Sequence, residues 1–245
     1  MTVRNIRFRQ SVIRTVLGLA AVSGLAMQPV ESAFAKVVEV SMTAVETKLV
    51  IDGEGHTYDA WTFNGQFPGP VIRVQEGDEV VFSLTNPETN GRPHSMDFHA
   101  AETNFLEHYK EVRPGESLQY RFKAKWPGIF AYHCGASPMI QHIARGMMGA
   151  IIVDPKDPKA LPKADREYVL VQRELFKDPD DVDGMFDRKY QHVVFNGSVF
   201  RYDPVHSKAG GDFLDAKPGE RVRFYFVNAG PNNVSAVHPI AEIWD

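Results

Sequence analysis

The amino-acid sequence predicts an all-β protein: two β-sandwiches in tandem, the second one incomplete. Three observations point there. From Lys36 onward, short runs of alternating apolar and polar residues recur, among them VVEVSM, PVIRVQ, EVVFSL, LQYRFKA, GAIIV, YVLVQ and RVRFYFV. A period of two at this spacing marks half-buried strands. Pro-Gly and Asn-Gly pairs separate the runs, and such pairs favour turns over helix. The third observation is a repeat. Phe63-Asn64-Gly65 is followed by EGDEVVFSLTN, ending at Asn86, and Phe195-Asn196-Gly197 by PGERVRFYFVN, ending at Asn228. Two copies of one sandwich unit account for it.

In chain order, residues 1–35 stand outside the fold. Arg4, Arg7, Arg9 and Arg14 precede an apolar stretch over residues 16–27, and Ala33-Phe34-Ala35 offers a small-residue cleavage site before Lys36. That pattern is a secretory signal peptide, and the stretch is shorter than the roughly 20 residues a membrane span requires. The mature chain is expected in the periplasm. Residues 36–155 form the first sandwich. In the run DPKDPKALPKADRE, residues 154–167, Pro and charge displace apolar periodicity. Residues 156–167 are therefore the expected linker, and 168–245 a partial second sandwich. Helix is expected only within residues 99–110 and around 180–188. After the repeated strand each copy reaches a histidine, His94 or His238. The first copy then continues through PGIFAYHC and GAIIV, whereas the second stops at Asp245. A half-built sandwich leaves open strand edges, so the expectation is a truncated fragment.

The balance of 27 basic against 31 acidic residues, net −4, carries no basic excess of the kind nucleic acid demands. A single cysteine excludes an intramolecular disulfide. That cysteine sits in YHCGASPMIQHIARGMMGAII, residues 132–152, which holds His133, Cys134, His142, Met147 and Met148. Upstream, PHSMDFHA supplies His94 and His99. One thiolate, imidazoles and a thioether make a soft donor set, and His₂Cys with an axial Met is the blue-copper arrangement. Structural zinc would ask for more thiolates. Adjacent strand residues face opposite ways, so His133 and Cys134 diverge, as do His94 and His99 across an odd separation. Two sites follow. His94 and Cys134, with His142 and a methionine (Met147, or its neighbour Met148), form a type 1 copper site. His99 and His133 form an all-histidine site that still needs a third ligand. His56, His108, His192 and His206 are expected at the surface.

The segments HSMDFHAA, GIFAYHCGASPMIQHIARGMMGAIIVDP and AVHPIAEIWD resemble the two-cupredoxin-domain copper nitrite reductases, across most of the mature chain. The resemblance implies tandem cupredoxin-like Greek-key β-sandwiches. It implies a type 1 copper on His94, Cys134, His142 and Met147, and a type 2 copper on His99 and His133. A third imidazole would come from domain two of a neighbouring subunit in a homotrimer, past Asp245. Asp97 takes the place of a proton-handling carboxylate, and His238 that of a histidine beside the substrate, with Ile240 shaping the pocket. The implied reaction is one-electron reduction of nitrite to nitric oxide and water, with a small copper protein or c-type cytochrome as donor. Two features depart from the family or bear on rivals. ETNFLEHYKEVR, residues 102–113, replaces a glycine-rich run beside His99, and Gly135 follows Cys134 where a trinuclear cluster would need histidine. The competing readings are a blue-copper electron carrier with only the type 1 site, and a two-domain multicopper oxidase acting on dioxygen.

Overall fold

The computed structural model describes residues 35–206 and 212–238. The expected signal peptide, apart from Ala35, and Ile240 lie outside them. The first sandwich has two four-stranded sheets. One contains β1 (Val37–Val50), β2 (Thr57–Phe63), β4 (Glu79–Thr85) and β6 (Ser117–Lys123), in the order β2-β1-β4-β6. The other contains β3 (Ile72–Gln75), β5 (Asp97–Phe98), β7 (Gly128–His133) and β8 (Met148–Asp154), in the order β3-β8-β7-β5. Alternation puts Val80, Phe82 and Leu84 of β4 and Tyr120 and Phe122 of β6 inward. They meet Phe98, Tyr132, Ile151 and Val153 from the facing sheet in one continuous core.

A third sheet, β10-β9-β11, comprises β9 (Arg166–Phe176), β10 (Tyr190–Phe195) and β11 (Val222–Asn228). Strand β9 thus begins inside the stretch read as linker. Val171 and Val227 of this sheet pack on Met148 and Ala150, so β8 is buried on both faces. That explains why its sequence reads as an almost unbroken apolar run rather than an alternating one.

The repeat is structural. β1 pairs antiparallel with β2 and parallel with β4, and β9 pairs antiparallel with β10 and parallel with β11. Both Asn-Gly turns place asparagine in the left-handed region, Asn64 at φ 57° and Asn196 at φ 48°. Asparagine tolerates that conformation because its short amide bonds locally. Asn64 Oδ1 accepts from the Thr43 N–H at 2.7 Å. In the second copy Asn196 Oδ1 accepts from the Val171 N–H, and its Nδ2 donates to Val169 O, both at 2.9 Å. Each turn is thus tied to the middle of its neighbouring strand.

Helices α1 (Phe105–His108) and α3 (Val182–Phe186) fall in the two stretches expected to hold them. Helix α2 (Met139–Arg145) corrects the expectation that helix is confined to residues 99–110 and the region around 180–188. It lacks a side-chain N-cap and is too short for clear periodicity. Its stabilisation is tertiary: Ile140 and Ala144 pack on Phe176 and Met185.

Asn196→Ala removes three hydrogen bonds, those with the Val171 N–H, Val169 O and the Tyr202 hydroxyl, and the tolerance for positive φ. It is expected to cost about 1–3 kcal/mol in urea unfolding, and an unchanged midpoint would mean the turn does not hold β9.

Candidate metal centre

The site is built around the end of β7. His133 is its last residue and Cys134 the next, and their side chains leave the backbone on opposite sides. Cys134 is fully buried. Its N–H donates to Met147 O at 2.9 Å, which brings the chain after α2 back against the thiol. Cys134 Sγ lies 3.2 Å from His142 Nδ1, and His142 Nδ1 lies 3.3 Å from His94 Nδ1. All three ligand atoms fall within 4.8 Å of one another. Metal–donor bonds of about 2.0–2.3 Å at trigonal or tetrahedral angles separate donor atoms by roughly 3–4 Å, so one ion fits the three. The softness of the set suits copper. Met147 shares the buried core that contains Cys134, whereas Met148 packs with Val171 and Val227 on the other side. Of the two methionines, Met147 is on the side of the cluster.

On the opposite side, His133 meets His99, Nε2 to Nε2, at 3.0 Å. Strand pairing sets Asp97 opposite His133, and Asp97 Oδ2 lies 3.8 Å from His133 Nε2. These three form a second group with donors within 4.8 Å of each other. Here His99 is exposed and the other two are half-buried, so this group faces outward. His133 Nδ1 donates to Cys134 O at 3.1 Å. That bond leaves Nε2 with its lone pair, the tautomer a ligand needs.

Burial sets the charge states. It pushes His142 down to about 3, helped by His94, Arg92 and Arg145. It lowers His94 against the opposing pull of Glu46, and lowers His133 despite the Cys134 carbonyl and Asp97. These imidazoles are therefore neutral and able to ligate. Burial raises the Cys134 thiol to about 11, although backbone N–H groups of Ser95 and Ala136 oppose it.

Several contributors lie outside the residues singled out in the sequence. Glu46, on β1, sits 3.3 Å from His94 Nε2 and is itself held by the N–H groups of Gly91 and Arg92, at 3.1 and 3.0 Å. The Trp61 ring lies 4.7 Å from that of His142, with the Arg145 guanidinium 4.6 Å over the indole. Ser95 donates its N–H to Cys134 Sγ at 3.2 Å and accepts from the Gly135 N–H at 2.8 Å. Its position beside His94 could have flagged it.

His238 is exposed and is not gathered into either group. Nor are His56, His192 and His206; His56 and His206 are exposed as expected, whereas His192 is half-buried. His108 corrects the surface expectation: it is half-buried, with its ring 4.9 Å from Tyr120. It belongs to residues 102–113, where Tyr109 faces Asp97. Burial pushes that phenol up, opposed by Thr103 and assisted by the Asp97 carboxylate.

The pattern of the multicopper oxidase family matches residues 44–158. The copper-containing nitrite reductase of Neisseria gonorrhoeae is 40% identical over 224 residues, covering 85% of this chain and 53% of that protein. The enzyme of the same name from Pseudomonas chlororaphis is 38% identical, covering 84% and 61%. Among solved structures, the copper nitrite reductase from Nitrosomonas europaea superposes with a TM-score of 0.83 at 59% identity, covering 85% of this chain and 73% of that one. A multicopper oxidase superposes with a TM-score of 0.67 at 28% identity, covering 80% and 64%. The chain spans about half the length of the first of these curated relatives.

Glu46→Ala is expected to weaken copper binding by about tenfold without unfolding the chain; equal affinity by competition titration would remove Glu46 from the site. Because the metal-free thiol is protonated at pH 7, copper uptake should release one proton. Affinity should therefore rise with pH by up to about tenfold per unit below the thiol pKa. Uptake without proton release in weakly buffered solution would contradict a thiolate ligand.

Proposed function

Because the chain belongs to the copper-containing nitrite reductase family, we propose that it acts as an exported, nitric-oxide-forming nitrite reductase. The observation that carries this reading is the placement of two donor groups on opposite sides of one peptide unit, His133–Cys134. Copper, when bound, would be held by His94, Cys134, His142 and Met147, where it would supply a one-electron couple, and by His99 and His133, where it would bind nitrite. Reduction of nitrite to nitric oxide and water consumes one electron and two protons. The covalent path from one donor group to the other is short, running through Cys134 and His133.

Asp97 lies at the open group, with Oδ2 3.8 Å from His133 Nε2. There its carboxyl group is placed to relay a proton to a nitrite oxygen. His238 is the candidate for a second imidazole near the substrate. A third imidazole ligand comes, in this reading, from a neighbouring subunit of a homotrimer. The donor is a small copper protein or a c-type cytochrome. Export rests on the basic and apolar pattern of residues 1–35. Among the described residues no helix is long and apolar enough to cross a membrane.

Cys134→Ser is expected to abolish the intense visible absorption of the copper-loaded chain while leaving the copper of the second group; an unchanged band would remove the type 1 assignment. Asp97→Asn is expected to keep both coppers and to lower nitric oxide formation by about 100-fold. A rate equal to the parent's would take Asp97 out of proton delivery.

A further inference from the structure

Arg173, on β9, reaches the turn that joins His142 to Met147. It is 1% exposed. Burial pushes its guanidinium down to about 10, so it stays charged at neutral pH. A buried charge is costly unless paired, yet among the described residues no carboxylate hydrogen-bonds it. It meets the carbonyl end of α2 instead. Nη2 donates to Ala144 O, and the Tyr58 hydroxyl donates to the same oxygen at 3.0 Å. Nε and Nη2 also donate to Glu174 O, each at 3.1 Å. The guanidinium lies 4.3 Å over the Phe67 ring, a cation–π contact. The C-terminal pole of a helix is negative, so a fixed cation there is favourable.

The turn is packed flush against this stack. A Cβ on Gly146, whose φ is +120°, would come within 2.3 Å of Phe67 and 3.1 Å of Arg173 Nη1. Ala144 stands between the two candidate ligands on the chain. The Met147 N–H donates to His142 O at 3.1 Å, and Met147 O accepts from Cys134. Whatever fixes residues 144–146 therefore fixes His142 and Met147 relative to the thiol.

We propose that Arg173 is a positioning residue: from the third sheet it anchors the 144–146 turn and so sets the geometry of His142 and Met147 around Cys134. The proposal rests on the copper reading of that group. It makes the metal geometry depend on a strand outside the sandwich that carries the cysteine.

The test compares copper-loaded parent, Arg173→Met, Arg173→Lys, Tyr58→Phe and Arg73→Gln. If the parent lacks an intense visible band, the copper reading fails, and this proposal with it. With the band present, Arg173→Met is expected to weaken copper retention about tenfold and to change the ratio of the visible bands and the copper hyperfine splitting. Lysine can reach Ala144 O but cannot cover Phe67, so Arg173→Lys recovers part of both. Arg73→Gln breaks the ion pair of Arg73 with Glu167, which ties the sandwich to β9, and its pair with Asp154 within the sandwich. It leaves α2 alone and should keep the parent spectrum. If Arg173→Met does not fold, Arg173→Lys and Tyr58→Phe carry the test, each with a smaller spectral change than expected for Met. Parent-like spectra and affinity in Arg173→Met, or in both milder variants where it is unfolded, overturn the proposal. So does an Arg73→Gln change as large as that of Arg173, which would mean general loosening of the interface.

Discussion

The alternation of side chains at the end of β7 is the constraint on which the site depends. His133 and Cys134 are neighbours in sequence, and the pleat sends them to opposite sides. The same alternation separates His94 from His99, so each side receives one histidine from the β5 region. One side is closed, where the thiol is fully buried with His94 and His142. The other side is open, with His99 exposed and Asp97 set opposite His133 by strand pairing. A one-residue slip in the register of β7 would exchange the two sets and leave neither complete.

Closing the first group has a cost that the surroundings offset. Two imidazoles and a thiol leave water, and burial drives them all toward their neutral forms. Neutral imidazole is what a metal ligand requires, whereas the raised thiol must give up its proton to the metal. Glu46 orients His94 from β1, Trp61 covers His142, and Ser95 feeds an N–H to the sulfur. The third sheet adds Arg173 at the base of α2. The buried donor group is thus supported from three sheets, although its residues come from one corner of the first sandwich.

Much of this was legible in the sequence, for physical reasons. Strands with one solvated face alternate, so β1, β4, β6 and β11 announce themselves. The Asn-Gly turns recur because each must hold an asparagine at positive φ beside its neighbouring strand. The sorting of His94 with Cys134 and of His99 with His133 could be read because spacing on a strand decides direction. Helix α2 was hidden because seven residues carry too little periodicity and its support comes from Phe176 and Met185. His108 looked like a surface residue because nothing nearby in sequence reports its packing on Tyr120. Glu46 and Arg173 were invisible because their partners lie 48 and 29 residues away.

One peptide unit separates two donor groups of different exposure, each proposed to hold copper. Electron paramagnetic resonance of the copper-loaded mature chain, recorded with and without nitrite, tests that proposal most directly. Two distinct copper signals are expected, and only the signal from the His99–His133 side should shift when nitrite is added. A single signal indifferent to nitrite would contradict the claim and leave an electron carrier in place of a reductase.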